Sequence, residues 1–300
     1  MQAVHSNTRI ALSNILVATD FSQASKLALP YAIALARQYD AKIVLGHAIS
    51  PEPHLSVPLD PLPPEADAVR REAEGKLAEF ARPELLGDTP YEEALARGEF
   101  WNVISGMIRK HGIDLIVAGT RGRQGLRKIV LGSHAETIFR RTDCPVLTIG
   151  PKVRPLEGGN WKLKHILFPT DGSEDSLAAL PYALSLAEEN EANLIFLQLI
   201  PFIAPEYRWN DDVSVREALR ALVPAEAEAW CQPEFVVRFD FPAEGILQLA
   251  GERDADLIVM GVRKPAERAI AAHLPWPVAS QVVAEAHCPV LTVRGQRGPC

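Results

Sequence analysis

Two α/β domains in tandem, each a parallel sheet covered by helices on both faces, are what this sequence predicts. Three observations carry that expectation. Short aliphatic runs of strand length alternate with longer segments of helical periodicity, as in a doubly wound sheet. The same order of segments begins again about 140 to 150 residues further on, the spacing of a whole domain and not of a short solenoid repeat. A length of 300 residues with 47% hydrophobic content is enough for two buried cores.

Taken in order, residues 1–13 carry little pattern and read as a frayed lead-in. Asn14 to Thr19 (NILVAT) is a buried strand that runs into Asp20. Ser22 then opens a helix to about Tyr39, with Pro30 inside it expected to bend it. Lys42 to Ile49 is a second strand, and Ser50 to Pro64 is a proline-rich loop. A helix from about Glu65 to Ala81 places Val69, Ala73, Leu77 and Phe80 on one face. Tyr91 to Arg97 is a strand candidate, and Trp101 to His111 is a helix with Val103, Ile104, Met107 and Ile108 inward. Leu115 to Ala118 is a buried strand closed by Gly119. Gly132 and Ser133 signal an N-cap before a helix with Ala135, Ile138 and Phe139 on its apolar face, and Cys144 to Ile149 is the last strand.

Residues 1–150 form the first domain, and Pro151 to Lys162, aperiodic and rich in Pro, Gly and charge, form a linker. Residues 163–300 form the second. There HILFPTDGS repeats NILVATDFS, ALPYALSLA repeats ALPYAIALA, DLIVMGV repeats DLIVAGT and CPVLTV repeats CPVLTI. Strands over Ala192 to Ile200 and Glu234 to Phe241, and helices near Val213 to Trp230 and Ala243 to Arg253, complete it, with Pro224 interrupting the first of those helices.

Between the fourth strand and the last helix of the first domain lies a loop with Gly119, Gly122 and Gly125 and with Arg121, Arg123, Arg127 and Lys128. Glycines bring backbone N–H groups close to a ligand, and a helix N-terminus favours an anion, so the arrangement suits a phosphate. It is neither a P-loop nor a dinucleotide fingerprint. Each basic residue taken alone reads better as a solvated loop side chain than as a ligand contact. A net charge of −7 argues against non-specific nucleic-acid binding. No apolar stretch is long enough to span a bilayer, and Cys144, Cys231, Cys288 and Cys300 show neither metal-ligand pairing nor a disulfide scaffold. The expectation is a cytoplasmic protein.

The spacing G-x2-G-x9-G-S on Gly119, Gly122, Gly132 and Ser133, set between two buried strands, resembles the ATP-binding motif of the universal stress protein family. The resemblance extends over nearly all of residues 14–294. It implies five parallel strands per domain in the order 3-2-1-4-5, with a crevice where the ends of strands 1 and 4 meet. It places Asp20 on the nucleoside, the backbone of Ala48 on adenine, and Gly119, Arg121, Gly122, Gly132 and Ser133 on ribose and phosphates. His134 and Ala135 add backbone contacts, and Ala18, Thr19 and Ala118 form the flanking strand ends. The implied cofactor is ATP, with or without Mg. The family also pairs domains through the last strand, which implies an internal pseudo-dimer; a homodimer of whole chains stays open.

The second domain departs from the motif. Gly261 survives, but Lys264 stands at the Gly122 position, and Trp276 and Pro277 replace Gly132 and Ser133. Its crevice is expected to be degenerate, filled by Trp276 or lined for something else, with Asp171 a turn residue. The leading expectation is thus an ATP-binding regulatory protein with one site. A slow hydrolase or autophosphorylating protein, with His134 as the nearby base, and a nucleotide-independent interaction module are the alternatives. For His47 a satisfied strand histidine is the simpler role, and for Ser22 and Ser173 a helix cap is.

Overall fold

A computed structural model describes residues 9–50, 66–120, 132–156, 160–200, 211–225, 227, 230–263 and 277–295. In chain order the first half runs β1 (Asn14–Ala18), α1 (Gln23–Tyr39), β2 (Lys42–Ile49), α2 (Ala66–Ala81), α3 (Pro83–Leu86), β3 (Tyr91–Arg97), α4 (Phe100–His111), β4 (Leu115–Gly119), α5 (Ser133–Arg141) and β5 (Val146–Ile149). The second runs β6 (His165–Pro169), α6 (Glu174–Leu177), α7 (Leu180–Asn190), β7 (Asn193–Ile200), α8 (Asp211–Arg220), β8 (Glu234–Phe239), α9 (Pro242–Glu252), β9 (Leu257–Val262), α10 (Pro277–Glu285) and β10 (Val290–Arg294).

The aliphatic runs become central strands because helices cover both faces of the sheet, so no position needs to face water. Ile15, Leu16 and Val17 of β1 are fully buried, as are Ile166, Leu167 and Phe168 of β6. Among the described residues the strands form one sheet, in the order β3-β2-β1-β4-β5-β10-β9-β6-β7-β8. Each half is parallel and keeps the order 3-2-1-4-5. Helix starts follow local chemistry: the Ser22 hydroxyl accepts from the Ser25 N–H, and the Ser173 hydroxyl from the Ser176 N–H.

The halves meet where β5 and β10 pair antiparallel, with Leu147 opposite Leu291, Val146 opposite Thr292 and Thr148 opposite Val290. Leu147 and Leu291 hold matching places in the two Cys-Pro-Val-Leu-Thr segments, so the pairing is symmetric about them. Beside the seam, helices cross over. Ala135 and Phe139 of α5 are buried in the cluster that holds Val282, Val283 and Val290 of the second half. The symmetry breaks one residue past each pair of matching strand ends, where Gly150 corresponds to Arg294. A side chain on Gly150 would meet the Val283 carbonyl at 2.7 Å. At the matching place the buried Arg294 guanidinium donates to the carbonyls of Phe139 at 2.7 Å and Arg140 at 3.1 Å, satisfying the C-terminal turn of α5.

Several expectations change. The described lead-in, residues 9–13, is tied down: Leu12 is buried, the Ile10 N–H donates to Ser185 Oγ at 2.9 Å, and the Ser13 N–H donates to Asp114 Oδ2 at 2.7 Å. The aperiodic linker is anchored by buried Val153, by the Tyr31 hydroxyl donating to the Arg154 carbonyl, and by Trp161 set edge-on to Tyr31 at 5.1 Å. The helix expected near Val213 to Trp230 is α8, which ends at Arg220, ahead of Pro224. The last strand of the first half starts at Val146, not Cys144, because Pro145 has no N–H for a ladder.

Replacing Arg294 by Met keeps apolar bulk but leaves the Phe139 and Arg140 carbonyls of α5 without this donor. The expected loss is roughly 1–3 kcal/mol, a fall of several degrees in melting temperature. Thermal denaturation checks it, and an unchanged midpoint would show that the guanidinium adds nothing at the seam.

Candidate functional site

The C-terminal ends of β1, β2 and β4 lie side by side, because Ala18 is in register with Gly46 on one side and Ala118 on the other. The Thr19 N–H donates to the Gly46 carbonyl at 2.9 Å, which extends this row to the turn after β1. That turn is built by three side chains. Thr19 Oγ1 accepts from the Phe21 N–H at 3.0 Å, and Asp20 Oδ1 accepts from the Ser22 N–H at 3.0 Å and the Ser25 hydroxyl at 2.6 Å. Asp20 is exposed at the crevice mouth, but one carboxylate oxygen already serves the fold.

Phe21 has φ 59°, a left-handed conformation that a bulky residue adopts only when its surroundings enforce it. The enforcing contacts are aromatic: its ring lies 4.3 Å from that of His47 and edge-on to Phe80 at 6.2 Å. The second half has Gly172 there, with φ 76° and the same hydrogen bond to its threonine. Phe21 is a site residue that single-position reading misses, although a Phe/Gly alternation between the repeats at one turn signals a positive φ.

His47 is half-buried, and its Nδ1 lies 2.8 Å from the Thr19 carbonyl. A carbonyl only accepts, so Nδ1 carries a proton and Nε2 faces away from that bond. Burial pushes the His47 pKa down, against the Thr19 carbonyl and Asp20, which favour the protonated ring; Lys76 and His134 lower it further. His134 is exposed on the first turn of α5, its ring stacked on Phe100 of α4 at 4.1 Å and 12°.

The glycines of the motif have different reasons to be glycine. A Cβ on Gly119 would come within 2.1 Å of the Ala24 carbonyl oxygen and 2.8 Å of the Ser25 nitrogen. Close packing of α1 on β4 therefore demands this glycine whether or not anything binds. Gly261 repeats the situation against Asp175 at 2.1 Å, which explains its survival in the second half. Gly132 differs: its φ is −61°, and an added Cβ would meet no described atom within 4 Å. Gly132 is also the cap of α5, with no side-chain hydrogen bond to the helix end, and Ser133 is the first helical residue and not the cap. The first-turn N–H groups of α5 have no intrahelical partner, and beside them a side chain on Gly132 would meet no described atom.

Ala18, Thr19, Asp20, Ala48, Ala118 and Gly119 come together at the strand ends, with His134 alongside. Ala135 turns its methyl away, into the core of the second half. Arg121 and Gly122 lie outside the described residues, as do Lys264 and Trp276. In the second half Asp171 makes the same turn as Asp20, accepting from the Ser173 N–H and hydroxyl, and also from Arg263 at 3.0 Å. Burial works to raise the Asp171 carboxyl, but the Ser173 hydrogen bonds and the Arg263 charge outweigh it and hold the pKa below the usual range. The crevice expected to be degenerate keeps a cavity of about 440 Å³.

The model of the universal stress protein family matches residues 12–150 and again 162–294. A universal stress protein of Thermus aquaticus is 33% identical over 139 residues, which is 45% of this chain and 96% of that protein. One from Methanocaldococcus jannaschii is 28% identical over 136 residues, 45% of this chain and 80% of its own length. A solved universal stress protein from Archaeoglobus fulgidus shares the fold across 94% of this chain and 98% of its own, with a TM-score of 0.71 at 18% identity.

Alanine at the two glycines separates packing from ligand space. Gly119→Ala forces α1 away from β4 and is expected to lose about 1–3 kcal/mol of stability without any ligand. Gly132→Ala loses less than about 1 kcal/mol, the size of a helix-cap effect. Denaturant titration of both variants measures this, and equal losses would contradict the distinction.

Proposed function

Because the chain belongs to the universal stress protein family through both of its halves, we propose that it is a regulatory stress-response protein that binds one adenine nucleotide, in the crevice of the first half. The observation that carries the reading is Gly132. Nothing described in the protein's own packing requires a glycine there, while a helix N-terminus starts beside it. A phosphate chain needs that combination: N–H donors, a favourable dipole end and room for close approach.

The residues fit the group. Gly132, Ser133 and the start of α5 would hold phosphate through backbone N–H groups, with Arg121 and Gly122 of the loop alongside. The backbone of Ala48 would meet adenine, and the Asp20 carboxylate the ribose hydroxyls. Phe21 and His47 form an aromatic flank for the base, held in place by the Thr19 carbonyl. Bound ATP would bring its own Mg. The role is binding, in the cytoplasm, with the second half as a built-in partner through β5 and β10 and without a membrane or nucleic-acid target. Among the described residues no helix is long and apolar enough to cross a membrane.

Calorimetry with ATP is expected to give one site per chain. Gly132→Val, which sets a branched side chain in the phosphate path, abolishes it. Asp20→Asn keeps the turn acceptor but loses the charge, and weakens binding, whereas Asp171→Ala leaves it nearly unchanged. At a hundredfold excess over Kd, ATP adds about 2.7 kcal/mol to the stability of the parent. A stoichiometry near two, or retained binding in Gly132→Val, would refute the reading.

A further inference from the structure

The second crevice has the place of a binding site and a different lining. It lies at the ends of β6 and β9, the switch point of its half, where open α/β sheets take ligands. Its cavity of about 440 Å³ is in the range of small-molecule sites. Register shows which residues changed. The Thr170 N–H donates to the Leu197 carbonyl as that of Thr19 does to Gly46, so Leu197 stands where the first half has Gly46. On the same register Leu199 replaces Ala48, Met260 replaces Ala118 and Val262 replaces Thr120. Each change is toward a larger or more apolar side chain, and all four line the cavity.

The helix opposite has adjusted to them. A Cβ on Gly245 of α9 would come within 2.7 Å of Leu199; in the first half Val103 holds that helix position and the smaller Ala48 the strand position. Leucine on the strand and glycine on the helix thus form one compensated pair, so the apolar floor is packed in place.

The rim changed in charge. Asp175 stands where the first half has Ala24, adding an acid beside Asp171. Arg263, the counterpart of Arg121, is turned onto these acids, 3.0 Å from Asp171 and 3.8 Å from Asp175. Among the described lining residues two carboxylates face one guanidinium, which leaves one negative charge. A phosphate or carboxylate would have to displace an aspartate from Arg263 and sit against the other, and one positive charge would balance these three groups.

We propose that the second crevice is a site for a small organic amine with an apolar body: hydrocarbon or aryl against Leu199, Met260, Val262 and Ile246, ammonium toward Asp171 and Asp175.

The chain has three methionines, and two of them lie in structured cores, Met260 in this cavity and Met107 in the first half. Full-length protein labelled with carbon-13 at the methionine methyl groups therefore carries both a reporter and a control. Titration with 2-phenylethylamine is expected to move the Met260 signal saturably and leave Met107 in place. Phenylacetate, the same body with the opposite charge, needs a higher concentration. Asp171→Asn and Asp175→Asn each weaken the amine roughly two- to fivefold, the scale of a partly exposed charge pair, and either folded variant suffices. ATP leaves Met260 unmoved. No saturable shift of Met260 with the amine, tighter binding of phenylacetate, or displacement of the amine by ATP would each overturn the proposal. The one-site nucleotide reading is judged by its own titration, so failure here leaves it standing.

Discussion

The structure depends on the pairing of β5 with β10. Without it each half would end in an apolar strand with an open row of N–H and C=O groups, the kind of edge that invites aggregation. The pairing is symmetric about Leu147 and Leu291, and it brings the following residue of each half under the last helix of the other. At one of those two contacts a bare glycine lets the Val283 carbonyl close in; at the other Arg294 reaches the end of α5. The same geometry, solved once by absence of a side chain and once by a long one, makes a continuous sheet with helices that belong to both halves.

The two crevices show how a duplicated unit changes while its frame stays. The turn Thr-Asp-x-Ser is built by the same hydrogen bonds in both, and a close-packed glycine stands at matching places near the ends of β4 and β9. What differs is what projects into the space above. One half has Ala48, Ala118 and a Gly132 with no described atom near its missing side chain. The other has Leu197, Leu199, Met260 and an arginine folded back on two acids. Frame residues answer to backbone packing, and lining residues answer to whatever fills the crevice.

Much of this was legible in the sequence. Continuous aliphatic runs such as NILVA and LIVAG mark strands buried on both faces, and their recurrence gives the two halves. The reason for Gly119 was not legible, because a sequence shows a glycine but not the Ala24 carbonyl that faces it. The left-handed Phe21 was legible only through its Gly172 counterpart, and the rings that hold it, His47 and Phe80, come from distant elements. Val153, Trp161 and Leu163 are too widely spaced for any period, so an anchored connection reads as a free linker. Arg294, a cation at a strand end, reads as solvated until the helix above it is known.

The position of α5 has an evolutionary consequence. In its first turn His134 stacks on Phe100 of its own half, while Ala135, Phe139 and its final carbonyls are held by the other. A gene cut at the connection would encode two fragments, one with its helix unsupported and the other with its core incomplete. Selection on the loop of the second copy can therefore relax without making that copy dispensable, since the burial it provides needs no motif. A duplicate in that position is retained for its shape while its crevice is free to acquire a new ligand.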